Sequence, residues 1–122
     1  MKNAAGWFIT IAIAYSILGM SFGIWMGINE AFEYEAFHAH MNLLGWASFA
    51  IFGLVYRAYP AMAASRVTAL HFWVANLGAI VFIPGIFYRI AANDVRLVAT
   101  GSLIVVTSQL IFFVNFLRHR NG

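Results

Sequence analysis

The 122-residue chain has no cysteine. That excludes a disulfide framework, a thiolate metal centre and a haem attached through a CxxCH motif. Charge is scarce as well: Asp, Glu, Lys and Arg make up 9% of the residues, against roughly 25% in a soluble domain. Seven Lys and Arg against four Asp and Glu leave a net charge of +3. These basic residues sit at the ends of apolar segments, where they signal topology, so no nucleic-acid partner is expected. The chain shows no internal repeat and no low-complexity stretch.

Apolar side chains dominate, at 63% of the residues, with a mean hydropathy of +0.83. They gather into four segments, residues 7–28, 37–59, 70–88 and 95–116. At about 20 residues per span, the length holds four membrane helices and little else. The expected fold is therefore an all-α membrane protein, a single four-helix transmembrane domain over residues 1–122 in a lipid bilayer. Pro84 is expected to kink or loosen the last turns of the third helix. Lys2 and the apolar run after it do not read as a signal peptide. The run exceeds the usual apolar core of about 7–15 residues, and no small-residue cleavage site follows. Short connections make neighbouring helices antiparallel. Lys2, Arg57, Arg66, Arg118 and Arg120 fall on one side. Arg89 and Arg96 fall on the other, with Glu30, Glu33, Glu35 and Asp94. The positive-inside rule then places both termini in the cytoplasm, with the glutamate loop outside.

The second segment opens with His38-Ala39-His40-Met41-Asn42-Leu43-Leu44-Gly45-Trp46. In a helix, two residues turn the chain by about 200°, so the two imidazoles leave opposite faces. They are not placed to share one metal ion, but each can serve a different haem. Polar rings on opposite sides also mean that neither face simply meets lipid. For a lone membrane histidine, a helix-to-helix hydrogen bond is the ordinary role. For this pair, haem is the competing reading. Gly45 and Gly53, eight residues apart and about on one face, allow a helix or a flat macrocycle to approach closely.

The other polar residues read differently. His71 starts the third helix at the opposite end from the pair and is expected to be interfacial or hydrogen-bonding. His119, between Arg118 and Arg120, belongs to a basic anchor. Glu30, Glu33 and Glu35 are expected in a solvated loop, with a cation site beside His38 as the alternative. Met41 has the depth of a sixth ligand, but methionine in such a helix is ordinarily packing. Arg89 and Arg96 are either interfacial anchors or partners for cofactor carboxylates.

The run from His38 to Gly45-Trp46, continuing through Gly53, Tyr56 and Pro60, resembles the tenth helix of the catalytic subunit of haem–copper oxidases. The resemblance is to the C-family pattern H-x-H-x-x-x-L-G-W, then G-x-x-Y and P, and it needs no gap over about 23 positions. Leu70-His71-Phe72-Trp73-Val74-Ala75-Asn76-Leu77-Gly78 is similar to the start of that family's eleventh helix. His40, Asn42, Leu43 and Leu44 also resemble the H-x-N-L-L of nitric oxide reductases. The motif match covers about 50 residues, and the whole chain fits the last four of the family's twelve helices, one arc of its ring. The resemblance implies that His38 binds an oxygen-reactive haem and His40 an electron-transferring one, with Arg89, Arg96 or both on haem propionates. The family's copper site needs three further histidines and a cross-linked tyrosine on helices this chain does not have. An ordinary oxygen reductase is thereby excluded for this chain alone.

The family's catalytic subunit is built as three four-helix arcs, so three copies of this chain can rebuild the ring. His38 of one copy then meets His40 of the next across haem b, giving bis-histidine coordination at each interface of a homotrimer. A bis-histidine haem has no open position and transfers electrons. The expectation is a small b-type cytochrome of the bacterial inner (cytoplasmic) membrane, with a respiratory-chain redox partner. His38 and His40 are its iron ligands, and Gly45, Arg89 and Arg96 are further cofactor-binding residues. The alternatives are an accessory or assembly subunit of an oxidase or nitric oxide reductase, and a haem sensor of diatomic gases.

Overall fold

A computed structural model describes all residues, 1–122, as an all-α protein without strands. Four helices are long and apolar enough to cross a membrane. They are α1 (Ala4–Ile28), α2 (Phe32–Ala58), α4 (Arg66–Ala92) and α5 (Arg96–His119). A single turn, α3 (Pro60–Ala63), joins α2 to α4. Four spans make a multi-pass membrane protein with both termini on one side. That side is here the terminal side, and the side with Glu30, Glu33 and Glu35 is the glutamate side.

The helices start and stop at polar caps beyond the apolar windows. Asn3 accepts the Gly6 N–H at 3.2 Å, and Ser65 accepts the Val67 N–H at 3.2 Å. Such caps satisfy amide groups that the first turn leaves free. So α1 and α4 begin three to four residues earlier than hydropathy indicates, and α5 runs three residues longer. α1 ends in a Schellman turn: Ala31 N–H reaches Met26 O at 2.9 Å, and Glu30, not glycine, takes the left-handed position at φ 52°. Asn93 does the same after α4 at φ 53°. The expected loosening at Pro84 is not found. α4 is helical without a break from Arg66 to Ala92. The residue after the proline, Gly85, lies backbone-to-backbone against α5: a Cβ there would stand 2.7 Å from Val98 N. Gly101 of α5 is equally close to the Phe82 backbone. These contacts clamp α4 on both sides of the proline.

α1 with α2, and α4 with α5, form two tightly packed hairpins. Side chains join the two. Phe8 of α1 packs against Phe49 and Phe52 of α2 and Phe72 of α4, with ring centroids 5.0–5.5 Å apart. Phe112 of α5 reaches Phe52 at 4.8 Å and His71 at 5.0 Å. His71 is therefore no interfacial residue; it is 0% exposed. Its Nδ1 shares a 2.9 Å hydrogen bond with the Tyr56 hydroxyl, the one side-chain hydrogen bond between the long helices of the two hairpins. Beside it, Asn115 donates to Thr68 Oγ1 at 2.9 Å, and Thr68 donates to Met62 O at 2.6 Å. That chain fastens α5, α4 and the α3 turn on the terminal side.

Removing the Tyr56 hydroxyl leaves the buried His71 Nδ1 without its partner. Tyr56→Phe should lower unfolding stability by about 1–3 kcal/mol. Equilibrium unfolding in lipid bicelles measures this. The double variant Tyr56→Phe/His71→Phe should cost less than the sum of the two single variants. Additive losses would show that the bond does not tie the hairpins.

Candidate functional site

The histidine pair lies in the first α-helical turns of α2, Glu35–His40. The backbone then widens into a π-helix over Met41–Ser48 before returning to α-helix at Phe49. Ser48 Oγ donates to Leu43 O, five residues back, at 2.9 Å. Both histidines precede the widened stretch, so the divergence of about 200° applies to them. Phe37 and Met41 face inward between them. Phe37 packs on Phe22 at 4.8 Å and Phe87 at 5.5 Å. Met41 is buried in the core, in a packing role.

His38 turns toward α1. Its Nδ1 is 2.9 Å from Gly19 O, and its ring lies over Gly23, where a Cβ would stand 2.7 Å from Cε1. Asn42 seats on Gly19 in the same way, at 2.6 Å, and donates to His38 O at 2.8 Å. Two glycines one turn apart thus make the bed on which the imidazole lies. His40 turns the other way and is exposed. Its Nδ1 is 2.8 Å from Ala36 O, and its ring packs edge-on against Phe82 of α4 at 5.5 Å.

A backbone carbonyl only accepts. The short contacts to carbonyls place the proton of each neutral ring on Nδ1, which leaves a lone pair on each Nε2; at His38 this outweighs the longer 3.5 Å contact of Nδ1 with the Asn42 amide nitrogen. Neither Nε2 makes a hydrogen bond within the chain. An imidazole with Nδ1–H tied to a carbonyl and Nε2 free is the arrangement of a metal-binding histidine with its supporting hydrogen bond. The donor set suits axial ligation of haem iron, which needs one or two imidazoles. It does not suit a chelated ion: no three His, Asp or Glu side chains are grouped to hold one. The cation site of Glu30, Glu33 and Glu35 beside His38 is accordingly not formed, and all three glutamates are exposed.

Gly45 requires a correction. It is buried, and a Cβ there would lie 2.5 Å from the Tyr15 ring. Gly53 similarly meets Ile9 and the Ala5 carbonyl. Both glycines admit α1, so Gly45 is a helix-packing residue and not a cofactor wall. The α2 face that carries them belongs to the hairpin. The residues that do shape the His38 environment, Gly19 and Gly23, lie in α1 far from the motif. Their signal in the sequence is the four-residue glycine spacing of that helix.

Two apolar clefts open along the seam of α1 and α4. One, of about 280 Å³, is lined by Tyr15, Phe37, Met41, Ile83 and Phe87 among others. The other, of about 450 Å³, is lined by Trp7, Phe72, Trp73 and Asn76 among others. Neither is lined by His38 or His40.

Arg89 and Arg96 flank the α4–α5 connection and are both exposed. Arg96 is committed to Asp94, with Nη2 to Oδ2 at 2.8 Å and Nε to Oδ1 at 3.2 Å, and its own N–H adds a third bond at 3.0 Å. Arg89 reaches only the neutral Asn93 side chain. Arg89 is thus the guanidinium free of a carboxylate. It lies seven residues beyond Phe82, the contact of His40, or about 10 Å along the axis.

The Arg96 side chain holds the Asp94 carboxyl at about 2, below its ordinary 3.8. A depressed acid contributes stability above its unfolded value and loses it as pH falls through the folded one. The start of α5 should therefore loosen between about pH 4 and pH 2. The Asp94 carboxyl ¹³C shift should titrate near 2, and Asp94→Asn should abolish that step. A titration near 3.8 would show that the pair does not persist in solution.

No family model, curated protein or solved structure matches the chain.

Proposed function

We propose that the chain is a small membrane b-type cytochrome in which His38 and His40 are iron ligands at contacts between copies. The carrying observation is the pair of imidazoles within one apolar span, each with Nδ1 on a backbone carbonyl and Nε2 without a partner in the chain; His119 holds Asn115 O in the same way, but at the end of α5 beyond its apolar segment. Three further points support it. The pair diverges, so one chain does not bring both rings to one iron. His40 is exposed in an apolar helix, where a polar ring calls for an external partner. Neither ring lines either of these clefts of the single chain, so a macrocycle ligated by either one would call on a neighbouring molecule to enclose it. The resemblance to haem–copper oxidases rests on the motif residues alone and agrees with this assignment.

In the proposed assembly, His38 of one copy and His40 of the next hold haem b, and three copies close the ring. When bound, haem b with two imidazole ligands supplies one-electron transfer without an open coordination position. The chain's residues set the conditions for it. Gly19 O and Ala36 O fix the ring tautomers and raise the basicity of Nε2. Phe82 limits water beside His40. Arg89 offers a free guanidinium to carboxylates on the glutamate side. The split of basic residues supports cytoplasmic termini in a bacterial inner membrane, and a respiratory-chain donor or acceptor is the expected redox partner.

His38→Ala and His40→Ala should each abolish or severely reduce haem bound per chain, read by the reduced-minus-oxidised spectrum of purified protein. His119→Ala should leave it unchanged. If both pair variants keep the wild-type spectrum, the assignment is wrong. Arg89→Gln should lower the haem midpoint by roughly tens of millivolts, the scale of about 1 kcal/mol for a partly exposed charge pair. Arg96→Gln should shift it less, because that guanidinium is engaged by Asp94. Equal shifts in a redox titration would contradict the distinction between the two arginines.

A further inference from the structure

Gln109 stands near the midpoint of α5, Arg96–His119, and is exposed. The hydroxyls beside it are internally satisfied: Thr107 donates to Leu103 O at 2.8 Å and Ser108 to Val105 O at 2.7 Å. The Gln109 amide makes no hydrogen bond within the chain. In the hydrocarbon layer no water replaces that partner, and polar side chains there ordinarily face another helix.

Its direction follows from its neighbours. Gly101, Ser108 and Asn115 form the buried spine of α5. Phe112 and Phe116 turn to α2, meeting Phe52 at 4.8 Å and Tyr59 at 5.3 Å. At about 100° per residue, Gln109 projects within about 60° of both phenylalanines, on the side away from Ser108. It therefore emerges on the α2 side of α5. His40 opens on the same side of the molecule, since its ring abuts Phe82 and the Phe82 backbone abuts Gly101. Eight residues separate Gly101 from Gln109, which sets Gln109 about 12 Å deeper in the membrane than His40.

We propose that this face, framed by α2 and α5, is the contact surface for a second copy of the chain, with Gln109 hydrogen-bonded across it. The occupant is argued from complementarity. The face is neutral: α2 has no charged residue between Glu35 and Arg57, and α5 none between Arg96 and Arg118. A charged partner gains nothing there, and an acyl chain offers the amide no bond. A primary amide both donates and accepts, so in a closed ring Gln109 can bond either a donor or an acceptor on the unlike face of the next copy. The choice of a second copy rests on the shared-ligand reading of His38 and His40, but the contact at Gln109 does not involve haem.

The test uses the full chain in membranes, prepared without haem. A benzophenone amino acid at position 109 should crosslink to another copy of this chain, identified by mass spectrometry. The same probe at Leu103 or Val114, on the far face of α5, should not. Gln109→Leu should weaken self-association by about three- to thirtyfold, with helix content by circular dichroism unchanged because the amide has no partner inside the chain. Adducts at 109 only with lipid or with a different protein overturn the proposal, as does unaltered association of Gln109→Leu. Failure of the haem reading is separate: it shows as retained haem in the histidine variants, whatever position 109 captures.

Discussion

Inside a bilayer a polar group has no water to fall back on, and this constraint sorts the polar residues of the chain. Thr10, Thr107 and Ser108 return their hydroxyls to carbonyls of their own helix. Asn76 does so with its amide N–H, onto Phe72 O. Tyr56, His71, Thr68 and Asn115 answer one another in the buried knot on the terminal side. After those assignments, the Nε2 of His71 and the Oδ1 of Asn115 are left unpartnered inside the knot, and nearer the surface the imidazole Nε2 atoms of His38 and His40 and the amide of Gln109 are among the polar groups without partners in the chain. His40 and Gln109 are exposed and His38 is half-buried, and that is why partners for these three are sought at the surface of the bundle.

The two halves of the molecule differ accordingly. On the terminal side, aromatic rings from α1, α2, α4 and α5 close around His71, and the Tyr56–His71 bond crosses between the hairpins. This half holds the fold. On the glutamate side, α2 is widened into a π-helix just after the histidines, and the seam between α1 and α4 opens as a cleft. π-Turns cost regular hydrogen bonding and occur frequently at functional sites. Here the turn follows His40 directly, so it alters the phase of the lower helix without disturbing the divergence of the two rings. The lower helix can then settle into the aromatic core while the upper turns keep their own orientation.

The four spans were legible in the sequence because apolar length is a composition signal and needs no tertiary information. Their ends were not. Asn3, Ser65 and Asn93 are polar caps outside any hydropathy window, and they set the true limits of α1 and α4. The divergence of His38 and His40 was legible because both lie in regular α-helix. The role of Gly45 was not, because spacing tells which residues share a face but not which neighbour that face meets. Tyr15, thirty residues earlier, fills the space. Of the two roles expected for His71, the hydrogen-bonding one is found and the interfacial one is not, for a related reason. Position near a helix start suggests an interface, but Phe8, Phe52 and Phe112 come from three other helices to cover it. Pro84 failed to loosen α4 because Gly85 and Gly101 let α5 clamp the backbone on either side.

The geometry of the pair also bears on symmetry. If each iron took like histidines across a twofold axis, His38 would meet His38 or His40 would meet His40, and a closed dimer would leave the other ring of each chain unused. Those unused rings would be polar groups at a lipid-facing edge. A cyclic arrangement would join two different faces, so under the proposed ligation His38 and His40 would both be used at every contact and no edge would remain. The environments of the two rings favour unlike faces. His38 lies half-buried on the Gly19–Gly23 bed of its own hairpin, whereas His40 stands exposed beside Phe82. One ring is recessed and the other projects, which is the shape relation of a socket and its plug.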